Sequence, residues 1–412
     1  MTRFPSVRAA IIACGLALAA GCTAPGGGTR PSAAGPVAAP QPGAPTVPEP
    51  VRPVAPAGLP GWASDPLDGL GAAIVRQCAM RAPPVPWPVL CAEFAALPRP
   101  APDATPSREA LRAWLATRFE AWPLRDARGG TEGLVTGYYE PLMTGSRTRE
   151  RAAQAPLYAR PADLLTIDLA GVEPRLAGMR LRGRVQGARV VPYHSRAEIE
   201  TARPLAGGEL VWVDDPVDAF FLEIQGSGRV RLRDGTTIRI GYADQNGHPY
   251  RAIGRSLVER GALKAEEVTA PAIRRWLREN PSQAPEVMRT NPSVVFFREL
   301  PEPPPAPPGE PEPGPPGSLG VPLTPMRSLA VDRSVVPLAT LVWLDVPHPV
   351  DGRPMRRAMA AQDTGGAIAG SIRADFFWGF GPEAEQAAGL MRSRGRMWML
   401  WPRGETPPTV AR

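Results

Sequence analysis

The sequence predicts a mainly β protein with two barrel-like domains and a few isolated helices. Short apolar, β-branched runs recur from Gly133 onward, and Asp, Gly and Pro punctuate them, as in "WVDDPVD" and "RDGT". Helical patterns are few and do not alternate regularly with the strands, which disfavours a doubly wound parallel sheet. Because strand-like runs lie on both sides of a Pro-rich stretch, 299–316, each side can form a barrel of its own.

The first 22 residues predict an export signal. Arg3 and Arg8 precede the apolar run "AAIIACGLALAAGC", which is too short to span a membrane. The ending "AAGC" resembles a lipobox, so we expect lipid attachment at Cys22 and an outer-membrane lipoprotein in the periplasm of a Gram-negative cell. Cleavage among the alanines, giving a soluble periplasmic protein, is the alternative.

Composition separates an unstructured tether from the folded part. The chain has 412 residues, of which 54 are Pro, and residues 23–61 are almost entirely Pro, Ala and Gly. Such a segment cannot bury a core and reads as a tether. The net charge is +7, but the Arg residues are scattered and no basic run is interleaved with aromatics. The charge therefore suits a wall polymer bearing carboxylates, and we expect no nucleic-acid partner.

Two helices are predicted before the first strand-like run. "SDPLDGLGAAIVRQCAM" has Asp65 as its expected N-cap, and "TPSREALRAWLATRFEAW" has Thr105. Cys78 and Cys91 lie in this region, and an oxidising periplasm favours a disulfide between them, with two buried thiols as the alternative. With three His in the chain and no Cys/His grouping at ligand spacing, we expect no metal site and no cofactor.

The remaining pattern is mostly β. Strands are predicted in "GLVTGYYEPL", throughout "ELVWVDDPVDAFFLEIQGSGRVRLRDGTTIRIGYA", and in "PSVVFF", "LVWLDV", "RRAMAAQD" and "GRMWMLWP". Helices are predicted in "PYRAIGRSLVERG", in "TAPAIRRWLREN" after Thr269, and in "PEAEQAAGLMRSRG" up to Gly395.

The candidate catalytic residues are carboxylates, because the serine elbow, the P-loop and the dinucleotide fingerprint are all missing from the sequence. Asp375 precedes Phe376-Phe377-Trp378, and such apolar surroundings should raise its pKa and suit it to general acid catalysis. The alternative for Asp375 is an N-cap. Asp363, before Thr-Gly-Gly, can instead form an Asx turn, and Asp332 can pair with Arg333 or cap a turn. Paired carboxylates, aromatic surface and export together suggest work on a glycan.

Several motifs, in order, resemble the membrane-bound lytic murein transglycosylase A family. They are "TGYYEP", "IQGSG", "GYADQNGHPYRAIGRSLVERG", "NPSVVFF", "VDRSVVPLAT" and "AQDTGGAIAGSIRADFFWGFGPEA". The resemblance implies a double-psi β-barrel catalytic domain with a smaller inserted β domain. It places the barrel in 62–142 and 291–403, the insertion in 143–290 and a tail in 404–412.

The resemblance also implies an activity and a set of site residues. The family cleaves the β-1,4 bond between N-acetylmuramic acid and N-acetylglucosamine in peptidoglycan and leaves 1,6-anhydromuramyl ends, and we expect exolytic action by a monomer. Asp375 would be the catalytic acid and base, with Asp363 beside it. The substrate groove would contain Tyr138, Tyr139, Gln225, Ser227 and Asp332. A muramidase-type hydrolase and a non-catalytic peptidoglycan-binding lipoprotein remain the alternatives.

Overall fold

The computed structural model describes residues 51–177, 179, 181–303, 306 and 309–407. Cys22, the export signal and most of the tether lie outside these residues. Sixteen strands are described: β1 Phe119–Pro123, β2 Gly133–Glu140, β3 Leu142–Ser146, β4 Ala155–Tyr158, β5 Leu165–Ile167, β6 Leu181–Gln186, β7 Arg189–Pro192, β8 Glu209–Val213, β9 Ser227–Arg231, β10 Thr237–Gln245, β11 Val295–Leu300, β12 Ser328–Val331, β13 Leu341–Pro347, β14 Pro354–Asp363, β15 Arg373–Phe380 and β16 Arg392–Pro402. The helices among them are α1 Leu70–Cys78, α2 Trp87–Ala95, α3 Arg108–Arg118, α4 Arg196–Ala202, α5 Pro216–Gln225, α6 Ile253–Glu259, α7 Ala270–Glu279, α8 Ala284–Arg289 and α9 Pro382–Leu390.

Six strands close into a barrel. Their order is β16-β13-β14-β12-β15-β2, and β2 also pairs with β16, which closes the ring, while β1 extends the sheet beyond β16. The pairs β12–β14 and β2–β15 are parallel and the other pairs are antiparallel. Inward-facing apolar residues from all six strands form one buried cluster, and it fills the barrel. The predicted mainly β fold with a barrel is confirmed.

A second six-stranded sheet is inserted between β2 and β12. Its order is β11-β10-β9-β3-β8-β4, and a single bridge between Ala159 and Phe297 joins its two edges. It has its own apolar core, and strands β5–β7 form a small separate sheet. Because β11 pairs with β10 along its length, this sheet ends at Leu300, beyond the 143–290 boundary expected for the insertion.

Helices α1–α3 cover part of the outside of the barrel. Their apolar faces pack against outward residues of β13, β14 and β16, such as Trp343 and Ala358. Cys78 at the end of α1 and Cys91 in α2 form a disulfide with Cα atoms 5.5 Å apart. No helix in the described part of the chain is long and apolar enough to cross a membrane.

Two predicted helix caps differ from the structure. Helix α1 begins at Leu70 rather than after Asp65, because the Asp65 carboxylate is occupied by Arg327 and the Ala358 amide. Helix α3 is capped by Ser107, whose hydroxyl accepts from the Ala110 amide.

The extended run around "AFFLEIQ" is wrong as a strand prediction. It forms helix α5, with Asp215 as N-cap and Pro216 in the first turn. The helix is apolar on two sides because Ala219 and Leu222 pack on the second sheet while Phe220 and Phe221 pack on α6–α8. Two-sided burial hides the helical period from sequence reading.

The last helix is shorter than predicted. Helix α9 ends at Leu390, not at Gly395, because residues from Arg392 onward pair with β2 and extend strand β16.

Candidate active site

The barrel places two aspartates in one row across four strands. Ala330 of β12 pairs with Asp363 of β14 on one side and with Asp375 of β15 on the other, and Asp375 pairs with Thr136 of β2. Directly paired residues point to the same face of a sheet. With strands about 4.8 Å apart, the two aspartate backbones are two strand spacings, or about 10 Å, from each other. Ala330 lies between the two aspartates and is buried in an apolar cluster.

This row lies on the outer face of the barrel. Ala374 and Phe376 point into the barrel core, so Asp375 and Phe377 point outward. Of the three aromatic residues expected to surround Asp375, only Phe377 shares its face, where its ring lies 5.1 Å from that of Tyr138. These rings belong to a small apolar cluster with Leu323, Ala330 and Ile368.

The environment of Asp375 favours its protonated form. Burial raises the pKa of Asp375 to about 6, and the nearby charge of Asp363 adds to this, although the Thr136 hydrogen bond and the Arg373 charge oppose it. The Thr136 hydroxyl donates to Oδ1 of Asp375 over 2.6 Å and accepts from Arg373 over 3.0 Å. The pKa rise expected for Asp375 is confirmed.

Asp363 is held by four donors. Its Oδ1 accepts from the Ser318 amide, the Ser318 hydroxyl and the Thr364 amide, each over 2.8 Å. Its Oδ2 accepts from the Tyr138 hydroxyl over 3.1 Å. Burial raises the pKa of Asp363, and these hydrogen bonds act against that rise. Burial and the two carboxylates also raise the pKa of Tyr138 well above its usual range.

Asp332 lies apart from this pair, in the loop after β12. It caps a turn, accepting from the amide and hydroxyl of Ser334 and from the Gly370 amide. Although burial acts to raise the pKa of Asp332, these hydrogen bonds lower it overall. This is the turn-capping alternative, and not an ion pair with Arg333.

A cavity of about 340 Å³ opens beside the row, between the barrel and the second sheet. Gln245 contributes its wall on the second sheet, and the barrel contributes Val331, Asp332, Arg333, Thr364, Gly365, Gly366 and Ile368. The cavity is adjacent to Asp363 through Thr364 and to the Tyr138 cluster through Ile368. Asp332 thus lines the cavity beside the pair, whereas Asp363 and Asp375 are not among its lining residues.

The other expected groove residues are placed differently. Tyr139 points to the opposite face of β2 from Tyr138, where its hydroxyl donates to Glu385 over 2.9 Å. Gln225 accepts from the Tyr139 amide over 2.9 Å and so ties helix α5 to β2. Ser227 is buried at the start of β9. None of Tyr139, Gln225 and Ser227 lines the cavity of about 340 Å³, and their roles in substrate binding stay predictions.

Three contacting residues were not expected from the sequence. Thr136 and Arg373 could have been found by counting two residues back from Tyr138 and Asp375 on their strands. Ser318 follows the Pro-rich stretch and carries no local signal. Among the described residues, no group of three or more His, Cys, Asp or Glu side chains is arranged to hold a metal ion.

The comparisons with known proteins agree with this architecture. Residues 134–298 match the MltA specific insert domain, and residues 327–401 match the 3D domain. Membrane-bound lytic murein transglycosylase A of Escherichia coli K12 is 34% identical over 290 residues, which cover 68% of this chain and 69% of that protein.

Solved structures extend the match over most of the described chain. MltA from Neisseria gonorrhoeae is 34% identical with a TM-score of 0.71, covering 86% of this chain and 93% of that one. Escherichia coli MltA with bound chitohexaose is 30% identical with a TM-score of 0.55, covering 69% and 76%. This chain belongs to the membrane-bound lytic murein transglycosylase A family.

Proposed function

We propose that this protein is a lytic transglycosylase that cleaves the glycan strands of peptidoglycan and leaves 1,6-anhydromuramyl ends. The observation that carries the proposal is the row of two carboxylates on one outer barrel face, one of them poised to keep its proton near neutral pH. Its E. coli relative is named a murein transglycosylase, and E. coli MltA binds chitohexaose, which supports a glycan as substrate.

The first step needs an acid, and Asp375 suits that role. With a pKa of about 6, about a tenth of Asp375 is protonated at pH 7 and about half at pH 6, far more than for an aspartate with an ordinary pKa. Among the described residues, only its Oδ1 is hydrogen-bonded, which leaves Oδ2 free to face the substrate. Asp375 then protonates the leaving O4 of N-acetylglucosamine as the bond to C1 of the muramyl residue breaks.

The second step needs a base, and the same carboxylate supplies it. Asp375, now ionised, takes the proton of the muramyl C6 hydroxyl, whose oxygen bonds to C1 and closes the anhydro ring. The nucleophile is part of the substrate, and well-oriented intramolecular reactions reach effective molarities of about 10⁵ M or more. A second carboxylate at the spacing of a hydrolase is therefore not required.

Asp363 suits an electrostatic role in both steps. A negative charge in this apolar depression stabilises the positive charge that develops at C1 when the glycosidic bond breaks. The same charge contributes to the raised pKa of Asp375. Asp363 has all four of its donors in place without substrate, so its position is set in advance.

We further propose that the enzyme works in the periplasm as a monomer anchored to the outer membrane through Cys22, and that it acts from strand ends. The named relatives are membrane-bound, which supports the membrane location. The Pro-rich tether, 23–61, would give the folded part reach into the wall.

Digestion of purified sacculi, followed by mass spectrometry of the soluble products, tests the proposal. The wild-type protein should release muropeptides lighter by one water than hydrolysed ones, and Asp375→Asn should release none. Asp168→Asn, at an exposed aspartate whose side chain accepts a single hydrogen bond within the described part of the chain, from the Ala170 amide, is the matched control and should digest normally. Reducing ends would indicate a hydrolase, and binding to sacculi without release would indicate a recognition module.

A further inference from the structure

The end of the Pro-rich stretch is folded against the carboxylate pair. Residues 314–323 form a tight loop, closed by hydrogen bonds between Gly314 and Leu323 over 2.8 Å and from Leu323 to Pro315 over 2.9 Å. The loop packs closely on the barrel, because a Cβ added at Gly317 would lie 2.5 Å from the Gln362 carbonyl oxygen. We call residues 314–323 the site loop. Its exposed tip carries Ser318.

The segment just before the site loop is fixed to the second sheet. Glu312 pairs with Arg229 over 2.7 Å, and the Pro313 carbonyl accepts from Arg239 over 3.2 Å. Both arginines also bind Glu140, which is almost fully buried at the end of β2. The site loop is thus held at the junction between the barrel and the second sheet, and its position over Asp363 is defined.

We propose that Ser318 is a positioning residue that keeps Asp363 ionised, so that the charge of Asp363 adds to the effect of burial in holding a proton on Asp375. The inference rests on the proposed function for its catalytic consequence. The ionisation state of Asp363 is open to direct measurement.

The two carboxylates differ in how completely they are satisfied. Asp363 has four hydrogen-bond donors, three on Oδ1 and one on Oδ2, and two of the four come from Ser318. Asp375 has one, from Thr136. When two nearby carboxyl groups share an apolar site, one proton stays, and it stays on the group whose ionised form is less well hydrogen-bonded.

The charged surroundings do not provide another explanation for this ordering. The groups that face the pair are Tyr138 from β2 and Arg373 from β15, and the site loop itself carries no titratable side chain. The positive charge of Arg373 favours ionisation of Asp375, the opposite of the proposed arrangement. The hydrogen bonds to Asp363 are therefore the contacts that favour it as the ionised member, and Ser318 supplies two of the four.

The test is the pH profile of kcat/KM for muropeptide release by the full folded chain. The active form has Asp363 ionised and Asp375 protonated, so activity falls at low pH when Asp363 gains a proton. Ser318→Ala removes one hydrogen-bond donor to the charged Asp363. The low-pH side of the profile, the acid limb, should therefore shift up by about 1 pH unit, whereas the high-pH side, the basic limb, should stay within a few tenths of a pH unit of wild type. Ser318→Thr keeps the hydroxyl at an exposed position and should restore the wild-type limb.

Thr236→Ala is the matched control, because the Thr236 amide and hydroxyl bind Asp234 in a distant hairpin just as Ser318 binds Asp363. Its profile should match the wild type. A uniform loss of activity across pH in Ser318→Ala, with the acid limb unmoved, would overturn the proposal and leave Ser318 a merely structural residue.

A measurement without turnover separates this inference from the proposed function. Carbon NMR of aspartate-labelled protein in the Asp375→Asn background follows the titration of Asp363 without coupling to Asp375, and the Asp363 signal is the one that disappears when Asp363→Asn is added. Adding Ser318→Ala should raise its midpoint by a similar amount, whereas an unchanged midpoint contradicts the inference. If wild type releases no anhydro products but the midpoint still moves, the proposed function fails and the role of Ser318 in fixing the Asp363 charge stands.

Discussion

Asp65 and Asp375 both lose solvent contact in the folded barrel, but the partners of their carboxylates differ. Asp65 lies fully buried on the outer wall under α1–α3, paired with a fully buried Arg327 over 2.7 Å. Asp375 lies on the face toward the second sheet. Its carboxylate accepts from the Thr136 hydroxyl, and Arg373 donates to that hydroxyl rather than to the carboxylate.

The consequence is that the pKa values of the two carboxyl groups move in opposite directions, although Asp65 is fully buried and Asp375 only partly. Burial acts to raise the pKa of Asp65, but the Arg327 contact and two backbone amides lower it overall. Burial raises the pKa of Asp375 to about 6 because no comparable partner offsets it. The comparison teaches that a bidentate arginine makes a buried carboxylate a structural anchor, whereas withholding that partner leaves a proton donor.

The largest expected effect is on catalysis, at the carboxylate pair that includes Asp375. Asp375→Asn keeps shape and removes the proton donor and acceptor, so kcat should fall by about 10³-fold or more while the fold is retained. Muropeptide release and circular dichroism, measured together, check this. Activity within tenfold of wild type would mean that another group supplies the acid.

The second largest expected effect is on stability, at the buried pair of Asp65 and Arg327. Arg327→Met leaves the Asp65 charge buried without its partner, which should lower the free energy of unfolding by about 3–5 kcal/mol. Urea denaturation at neutral pH measures it. The matched change Arg373→Met, at the partly buried arginine near Asp375, should lower the free energy of unfolding far less. Equal losses in the two variants would contradict the proposed difference between the surroundings of Asp65 and Asp375.

The two aspartates should also give opposite pH dependences of stability. The lowered pKa of Asp65 contributes stability that is present above its unfolded value of about 4 and is lost as pH falls through the folded value. The raised pKa of Asp375 costs stability as pH rises from about 4 to 6, by at most about 2–3 kcal/mol in a partly exposed group.

Asp375→Asn should therefore stabilise the protein at pH 8 and leave it unchanged below pH 4. Denaturation curves at the two pH values check this expectation. An equal effect of the substitution at both pH values would show that Asp375 has an ordinary pKa in the folded protein.

The smallest effect concerns the single donor to Asp375. Thr136→Val removes the hydroxyl without changing the shape of the side chain, and the lost hydrogen bond should raise the pKa of Asp375 by up to about 1 unit. The basic limb of the pH–rate profile should then move upward. A downward move would mean that the released Arg373 approaches Asp375 directly.

Much of this arrangement can be predicted from the sequence, and the exceptions have physical causes. Asp375 and Asp363 stand out as carboxylates in Gly-rich and apolar runs, and strand periodicity would have placed Thr136 and Tyr138 on one face. The run "AFFLEIQ" has the sequence pattern of a strand because a helix buried on two sides shows no apolar period.

Long-range contacts are the part that local patterns do not show. Asp65 looks like a helix cap until Arg327 is brought to it from far along the chain. Ser318 reaches Asp363 only because Glu312 and Pro313 are fixed to the second sheet. In both cases the deciding partner is set by tertiary structure, which overrides the local preference.

The most direct test of the central claim, that Asp375 acts on a substrate supplying its own nucleophile, is digestion of sacculi in water enriched in heavy oxygen. The account predicts anhydro products that carry no heavy oxygen from the solvent and are one water lighter than hydrolysed fragments. Fragments with solvent oxygen at C1 of the muramyl residue would contradict it.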